Sequence, residues 1–252
     1  MFYEENFFVD GHDKLRYFQV GSGNTILFLH GGGVNSLTYK KVLSLLSRKY
    51  LVIAPDLPCF GKSTCPNNTA EYLSILEKFI TFMNFEKIAI IGHSLGGVIA
   101  LHLSLNNKNP LLVLVDSAGF SQKVSKAEFL YKFFIEKTIR DIFLYRNLFM
   151  ILQIAKDFFK NLLTKVFEWK FIVKIMQKFL TTDFKEFNKI NAKTLILWGK
   201  QDEIFSKDIA EIFHQKIESS ELKFESGNHD WCLFNSEKFS NIIIDWLKTN
   251  NY

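Results

Sequence analysis

Proline is scarce in this sequence, with 4 among 252 residues, all at or before Pro110. Glycine numbers 13, and between Phe120 and Trp198 there is neither glycine nor proline. A stretch free of backbone breakers favours long helices, so the middle of the chain reads as a helical insert. Cysteine is limited to Cys59, Cys65 and Cys232. An odd number without the paired spacing of a zinc site or a disulfide framework points to free thiols in a reducing compartment. No apolar run approaches the roughly 18 residues that a membrane-spanning helix needs. The longest candidate, Leu148 to Ala155, is interrupted by Gln153. Met1 to Asp10 carries Glu4, Glu5 and Asp10 without a basic start or a long apolar run, so it does not read as a signal peptide. A soluble, cytoplasmic protein is the expectation.

Hydrophobic residues make up 48% of the chain and charged residues 23%, which excludes disordered and fibrous classes. Short apolar runs rich in β-branched residues, Thr25 to Leu29, Tyr50 to Ala54, Lys87 to Ile91 and Leu111 to Val115, read as buried parallel strands. Helical periodicity falls between them, at Ser36 to Arg48, Ala70 to Met83 and Leu95 to Asn106. The same rhythm resumes with strands at Thr194 to Trp198 and Leu222 to Glu225 and helices at Ser206 to Ile217 and Ser236 to Leu247. Tyr3 to Val9 and Leu15 to Val20, around Gly11, read as an antiparallel edge hairpin. The expected organisation is an α/β core from residues 1–119 and 190–252, with a helical insertion over 120–189.

Charge is uneven. Phe120 to Ile190 holds 14 Lys or Arg against 7 Asp or Glu, while the remainder has 17 against 19. The insert also holds 13 of the 27 Phe. Its helices either cover something apolar, bordered by lysine, or pack their Phe on the core and leave the Lys solvated. Lysines dispersed among Phe do not form the basic stripe of a nucleic-acid binder, despite a net charge of +5.

Gly92-His93-Ser94-Leu95-Gly96-Gly97 follows an apolar strand and opens a helix, the setting of a nucleophile on a strained turn. A serine hydroxyl needs a base in reach and an acid to orient that base. Of six histidines, His229 in Ser226-Gly227-Asn228-His229-Asp230 lies in a polar loop after the last strand and is the best-placed base. His30 and His93, inside glycine motifs, read as structural or pocket-lining. Asp202, after strand Thr194 to Trp198, is the expected acid; Asp116, at the end of Leu111 to Val115, is its rival, followed by Glu203 and Asp230. An oxyanion hole needs two backbone N–H groups, expected from Leu95 and from Gly32 of His30-Gly31-Gly32-Gly33. Neither a phosphate-binding loop nor a dinucleotide fingerprint is present in these glycine motifs.

In that order, His30-Gly31-Gly32-Gly33, Asp56-Leu57-Pro58-Cys59-Phe60-Gly61-Lys62-Ser63, the Ser94 turn, Trp198-Gly199-Lys200-Gln201-Asp202 and Gly227-Asn228-His229 resemble a serine member of the α/β-hydrolase superfamily. The resemblance covers nearly the whole chain outside the insert. It implies a mostly parallel sheet flanked by helices, with a helical cap inserted after the sixth strand. Cys59 stands where the family usually has Gly and is expected to be a small buried residue. Asn228 is unusual beside the histidine.

The implied activity is hydrolysis of a carboxylic ester or thioester through an acyl-serine, with an apolar acyl chain, as in the small carboxylesterases that include a pimeloyl carrier-protein methyl ester esterase. Alternatives within the same fold are carbon–carbon bond hydrolases, lyases and non-catalytic ligand-binding proteins. No cofactor or metal is implied. Gly31, Gly33, His93, Phe133 and Phe134 are the expected pocket residues. The partner is a small acyl ester, and the basic insert would also suit an acidic carrier protein or an anionic lipid surface.

Overall fold

The computed structural model describes residues 3–85, 87–106, 110–120, 128, 131–181 and 184–252, with the side chains of Thr69, Phe133, Phe134, Leu180 and Thr181 excepted. Phe133 and Phe134, expected in the pocket, therefore lie outside the described side chains.

Eight strands form one sheet in the order β1-β2-β4-β3-β5-β6-β7-β8. β1 (Glu4–Asp10) and β2 (Asp13–Val20) form the antiparallel edge hairpin, from Glu4 opposite Gln19 to Asp10 opposite Asp13. β2 joins β4 (Leu51–Pro55) antiparallel, and all further pairings are parallel through β3 (Thr25–Leu29), β5 (Ile88–His93), β6 (Leu111–Val115), β7 (Lys193–Gly199) and β8 (Ser220–Glu225). Alternation divides the strands between two cores. Ile26 and Phe28 pack on the side of α1 (Lys40–Leu46) and α9 (Ser236–Thr249), and Leu27 and Leu29 on the side of α2 (Thr69–Met83) and α3 (Leu95–Leu105). The central strands are apolar on both faces because helices cover both. The expected helix over Ser36 to Arg48 begins instead as a 3₁₀ turn, Ser36–Tyr39, capped by the Asn35 side chain.

Between β6 and β7 the chain passes through a π-helical turn, Lys132–Glu136, and helices α4 (Lys137–Tyr145), α5 (Leu148–Thr164) and α6 (Trp169–Thr181). Ile172, Ile175 and Phe179 of α6 are buried in the core shared with α2 and α3, as are Phe184 and Phe187 farther on. α7 (Lys207–Lys216) follows β7, and a short helix, α8 (Trp231–Phe234), precedes α9.

The cysteine reading is corrected. Cys59 and Cys65 form a disulfide, with Cα atoms 4.2 Å apart, and Cys232 is free and buried. The intervening loop folds back on itself: Phe60 N donates to Leu57 O, Ser63 N to Phe60 O and Cys59 N to Thr64 O, which brings the two thiols together. Asp56 organises the base of this loop, accepting from Ser36 Oγ at 2.6 Å, Arg16 Nε at 2.6 Å and Lys62 N at 3.1 Å. The pairing removes the sequence argument for a reducing compartment.

Candidate active site

In a parallel sheet the loops at the carboxyl ends of the strands gather on one edge, and this chain places its polar motifs there. Gly31 to Gly33 follow β3, Asp56 follows β4, Ser94 follows β5, Asp116 follows β6, Asp202 follows β7 and His229 follows β8.

Ser94 sits at φ 55° and ψ −117°, a conformation that non-glycine residues seldom adopt. The turn is held by Ser94 N donating to Val115 O at 2.9 Å and by Gly97 N and Ala118 N donating to Ser94 O, each at 3.0 Å. It is possible because a Cβ at Gly92 would overlap the Gly96 backbone, and one at Gly96 the Leu29 carbonyl. Ser94 Oγ lies 3.0 Å from His229 Nε2, and His229 Nδ1 lies 2.9 Å from Asp202 Oδ2. The carboxylate fixes the tautomer: Nδ1–H donates to Asp202, leaving Nε2 to accept from the serine. Asp202 is itself locked, its Oδ1 accepting from Ile204 N at 2.7 Å and Phe205 N at 2.9 Å. Burial alone would lower the His229 pKa, but the Asp202 charge and hydrogen bond outweigh it, and the pKa lies above its ordinary value.

Asp116, the rival acid, does not reach His229. Its Oδ1 accepts from Gly199 N at 2.7 Å and its Oδ2 from Trp231 Nε1 at 2.8 Å, so it ties the end of β7 to α8. Burial, reinforced by the nearby Asp202 charge, raises its carboxyl well above the usual range. Glu203 is buried with neither carboxyl oxygen hydrogen-bonded, and burial pushes its pKa up to about 7.

Leu95 opens α3, and among the described residues neither its amide nor that of Gly32 has an acceptor within the protein. Gly31 and Gly32 pass close to the serine; a Cβ on Gly31 would stand 3.5 Å from Ser94 Cβ. Gly33, expected in the pocket, is not among the residues lining this cavity. At φ +83° it turns the chain away, and its carbonyl accepts from Asn161 Nδ2 of α5 at 3.0 Å.

His93 is among the residues lining the cavity. Its Nε2–H donates to the His229 carbonyl at 2.9 Å, so its Nδ1 accepts from Tyr39 OH at 2.6 Å, and Tyr39 OH in turn accepts from Gly31 N at 3.2 Å. Burial, with the neighbouring His229, lowers its pKa to about 4, which keeps it neutral. His30 accepts from Leu57 N at 2.8 Å and is structural.

A second buried cluster was not foreseen. Lys137, at the start of α4, contacts Asp230 Oδ2 and lies 3.2 Å from Asp141 Oδ2. Asn228 Nδ2 donates to Asp141 Oδ1 at 2.6 Å, and Asn228 N donates to Tyr145 OH at 3.2 Å. Burial would lower the Lys137 pKa and raise both acids; the two carboxylates reverse this for the lysine, and the ion pair holds Asp230 below its ordinary value. Asp141 remains raised by burial. His93, His229 and Asp230 lie close enough to share a cation, but their ring nitrogens and the carboxylate are engaged with Tyr39, Ser94, Asp202 and Lys137.

These groups border a cavity of about 480 Å³ between the sheet edge and helices α4 to α6, lined by Ser94, His229 and Gly32 at its base and by Ile151, Ile154, Phe158 and Leu162 of α5.

The profile of the alpha/beta hydrolase family matches residues 26–241, and the chain belongs to that family. A 2-hydroxy-6-oxo-6-(2'-aminophenyl)hexa-2,4-dienoic acid hydrolase of Metapseudomonas resinovorans is 36% identical over 128 residues, 46% of this chain. That match spans 43% of the relative, so the chain covers under half of its length there. A 2-hydroxy-6-oxononadienedioate/2-hydroxy-6-oxononatrienedioate hydrolase of Paraburkholderia xenovorans is 26% identical, covering 94% of this chain and 92% of the relative. Among solved structures, the serine hydrolase of carbazole degradation, CarC, superimposes with a TM-score of 0.79 at 26% identity, over 98% of this chain and all of the other. An esterase from Exiguobacterium antarcticum, at 24% identity over 94% of this chain and 96% of its own, shares the fold with a TM-score of 0.73.

Proposed function

We propose that the chain hydrolyses carboxylic esters or thioesters with an apolar acyl chain through an acyl-Ser94 intermediate. His229 takes the Ser94 proton as the hydroxyl attacks the carbonyl carbon and returns it to the leaving group, while Asp202 holds the imidazole in the tautomer that accepts. The Leu95 and Gly32 amides stabilise the oxyanion, helped by the positive end of α3. Water then attacks the acyl-serine with His229 as base. Residues 120–189 act as a cap that selects the acyl group.

The observation that carries the substrate class is the state of Lys137. It is the only cationic side chain among the described residues lining the cavity, and Asp141 and Asp230 already neutralise it. Apart from Thr138, the remaining upper lining is Ile, Ala, Phe, Leu and Trp, which suits a neutral acyl chain. The dienoic acid hydrolases among the relatives favour a second reading, carbon–carbon bond hydrolysis. Their substrates carry a carboxylate, and recognising one here would require Lys137 to leave its partners, which ranks this reading second.

The test combines labelling and a substrate panel. A fluorophosphonate should label Ser94 stoichiometrically and Ser94→Ala not at all. Specificity constants for nitrophenyl esters should climb about fourfold per methylene, from about 0.8 kcal/mol of burial each, until the cavity is filled. Turnover of dienoate ketones exceeding that of every ester would establish the second reading; labelling that persists in Ser94→Ala would remove both.

A further inference from the structure

We propose that the outer faces of α4 and α5 dock on an anionic lipid surface, so that the acyl ester enters the cavity from a membrane rather than from water. This rests on the ester reading above for the substrate, while the docking itself stands on three observations. First, both helices turn apolar residues outward. Phe149, Leu152, Phe159 and Leu163, spaced at helical steps along one face of α5, are exposed, as are Ile135, Ile139, Ile142 and Phe143 along α4 and the turn before it. Phe149 is 77% exposed and Phe167, in the turn after α5, 97%. Adjacent α6 shows the ordinary arrangement, with Ile172, Ile175 and Phe179 buried and Lys170 and Lys174 exposed. Exposed apolar side chains on this scale mark an interaction surface.

Second, the described acidic side chains of the insert, Glu168 excepted, are drawn into pairs. Asp141 is buried against Lys137, and Asp157 accepts from Thr38 Oγ1 of the core at 2.8 Å; Glu136 pairs with Arg140 and Glu186 with Lys189. Lys156, Lys160, Lys170 and Lys174 are exposed, with no carboxylate partner among the described residues. Phe and Leu bordered by unpaired lysines complement apolar chains beneath anionic headgroups. A symmetric second copy fits less well, because a self-complementary contact would bring two copies of this lysine-bordered face into one interface.

Third, the outer face and the cavity are continuous. Phe159 is 58% exposed yet lines the cavity beside Phe158 and Leu162, so an acyl chain finds apolar side chains from the surface to Ser94.

The experiment uses the full chain carrying Ser94→Ala, which removes turnover, with vesicles of phosphatidylglycerol and phosphatidylcholine at about 1:3 and of phosphatidylcholine alone. The expected result is co-sedimentation with the anionic vesicles, at least about tenfold weaker on the neutral ones and weakened by salt. Phe149→Ser with Phe167→Ser, and separately Lys156→Glu with Lys160→Glu, should each lower partitioning about tenfold or more. In the Ser94 protein both pairs should leave hydrolysis of a short soluble ester within about twofold, as none of the four lines the cavity. No binding to either vesicle overturns the proposal, as does binding that both pairs leave unchanged. A dimer by light scattering that Phe149→Ser with Phe167→Ser disperses would assign the face to self-association, and saturable binding to an acidic acyl carrier protein in place of vesicles would assign it to a protein; either overturns it. Failure of the ester reading appears only in the substrate panel and leaves vesicle binding intact.

Discussion

Lys137→Met tests how the insert is held over the base. The substitution keeps most of the side-chain length and removes the charge. Lys137, Asp141 and Asp230 are 8%, 2% and 6% exposed, so the methionine would leave two carboxylates buried beside each other without a cation. Removing one member of such a cluster costs about 3–5 kcal/mol, because the surviving charges lose their partner while remaining desolvated. Urea unfolding followed by fluorescence of the 4 tryptophans would measure it. Asp230 now sits below its ordinary pKa and so adds stability that is present above the unfolded value and lost as pH falls through the folded one. Without the lysine, burial would raise it, and the sign reverses: the variant should lose most at pH 8 and recover as the carboxylates protonate towards pH 5. Adding Asp230→Asn to Lys137→Met should restore part of the loss. A cost below about 1 kcal/mol at pH 8, or a double variant worse than the single one by the full cost of Asp230→Asn, would refute the reasoning. So would an unchanged stability with a raised KM confined to anionic substrates, which would make Lys137 a substrate-binding group and favour the dienoate reading.

Asp202→Asn should leave the fold intact and lower kcat by about 10³–10⁴, since an amide favours the wrong imidazole tautomer, whereas Asp116→Asn should cost stability, about 1–3 kcal/mol, and leave kcat within about tenfold; unfolding curves and kcat on one ester decide between them. Reducing the Cys59–Cys65 disulfide, a loop of sequence separation 6, should lower unfolding free energy by about 2 kcal/mol in the chain-entropy account, seen as a fall of several degrees in Tm that Cys65→Ser reproduces. Glu203, with a pKa raised to about 7, opposes folding increasingly from its unfolded value near 4.5 upward and fully above 7, so Glu203→Gln should gain stability relative to the parent by about 3 kcal/mol between pH 4 and pH 8; a pH-independent difference would show Glu203 to be solvated. Because the His229 pKa lies above its ordinary value, kcat/KM should rise with pH through a midpoint above 6.5, and Asp202→Asn should move that midpoint down.

What the sequence made legible follows from the range of each signal. The strands could be read because runs such as Leu111 to Val115 and Thr194 to Trp198 are apolar and bounded by polar or glycine punctuation, and each run lies within a few residues of its own loop. Ser94, Asp202 and His229 were legible for the same reason: each stands just beyond the end of a readable strand, and a parallel sheet gathers such ends on one edge. Sequence order ranks Asp202 ahead of Asp116 but leaves Asp116 a rival, because both follow neighbouring strands. The difference lies in which way each carboxylate faces, Asp116 towards the Gly199 amide and the Trp231 ring, Asp202 towards His229. The cysteine pairing was hidden by reading spacing rather than backbone path. A separation of six residues becomes a short Cα distance only because the loop reverses at Phe60 to Ser63. Tyr39 and Lys137 left no local signal at all, because Tyr39 meets His93 and Lys137 meets Asp230, both distant in sequence.

The insert shows why its helices resisted reading by periodicity. α5 carries Ile151, Ile154, Phe158 and Leu162 towards the cavity and Phe149, Leu152 and Leu163 away from it, so no single apolar stripe marks an inner face. Orientation is set by polar side chains. Asp157 takes a hydrogen bond from Thr38, Asn161 donates to Gly33 O and accepts from Gly61 N, Lys165 reaches Ser63 O at 2.8 Å, and on α4 Lys137 and Asp141 engage Asp230 and Asn228. Each contact is directional and specifies one register of α4 and α5 over the loops bearing Gly32 and His229, at little net gain in stability, since buried polar contacts largely repay their own desolvation. Apolar packing would have attached the insert more strongly but with less positional definition, and it would have consumed the side chains that instead face outward. Asn228 and Asp230, the two neighbours of His229, are the residues through which that register reaches the base. A change in how α4 sits therefore acts on His229 directly, through its own backbone neighbours, without any displacement of the sheet.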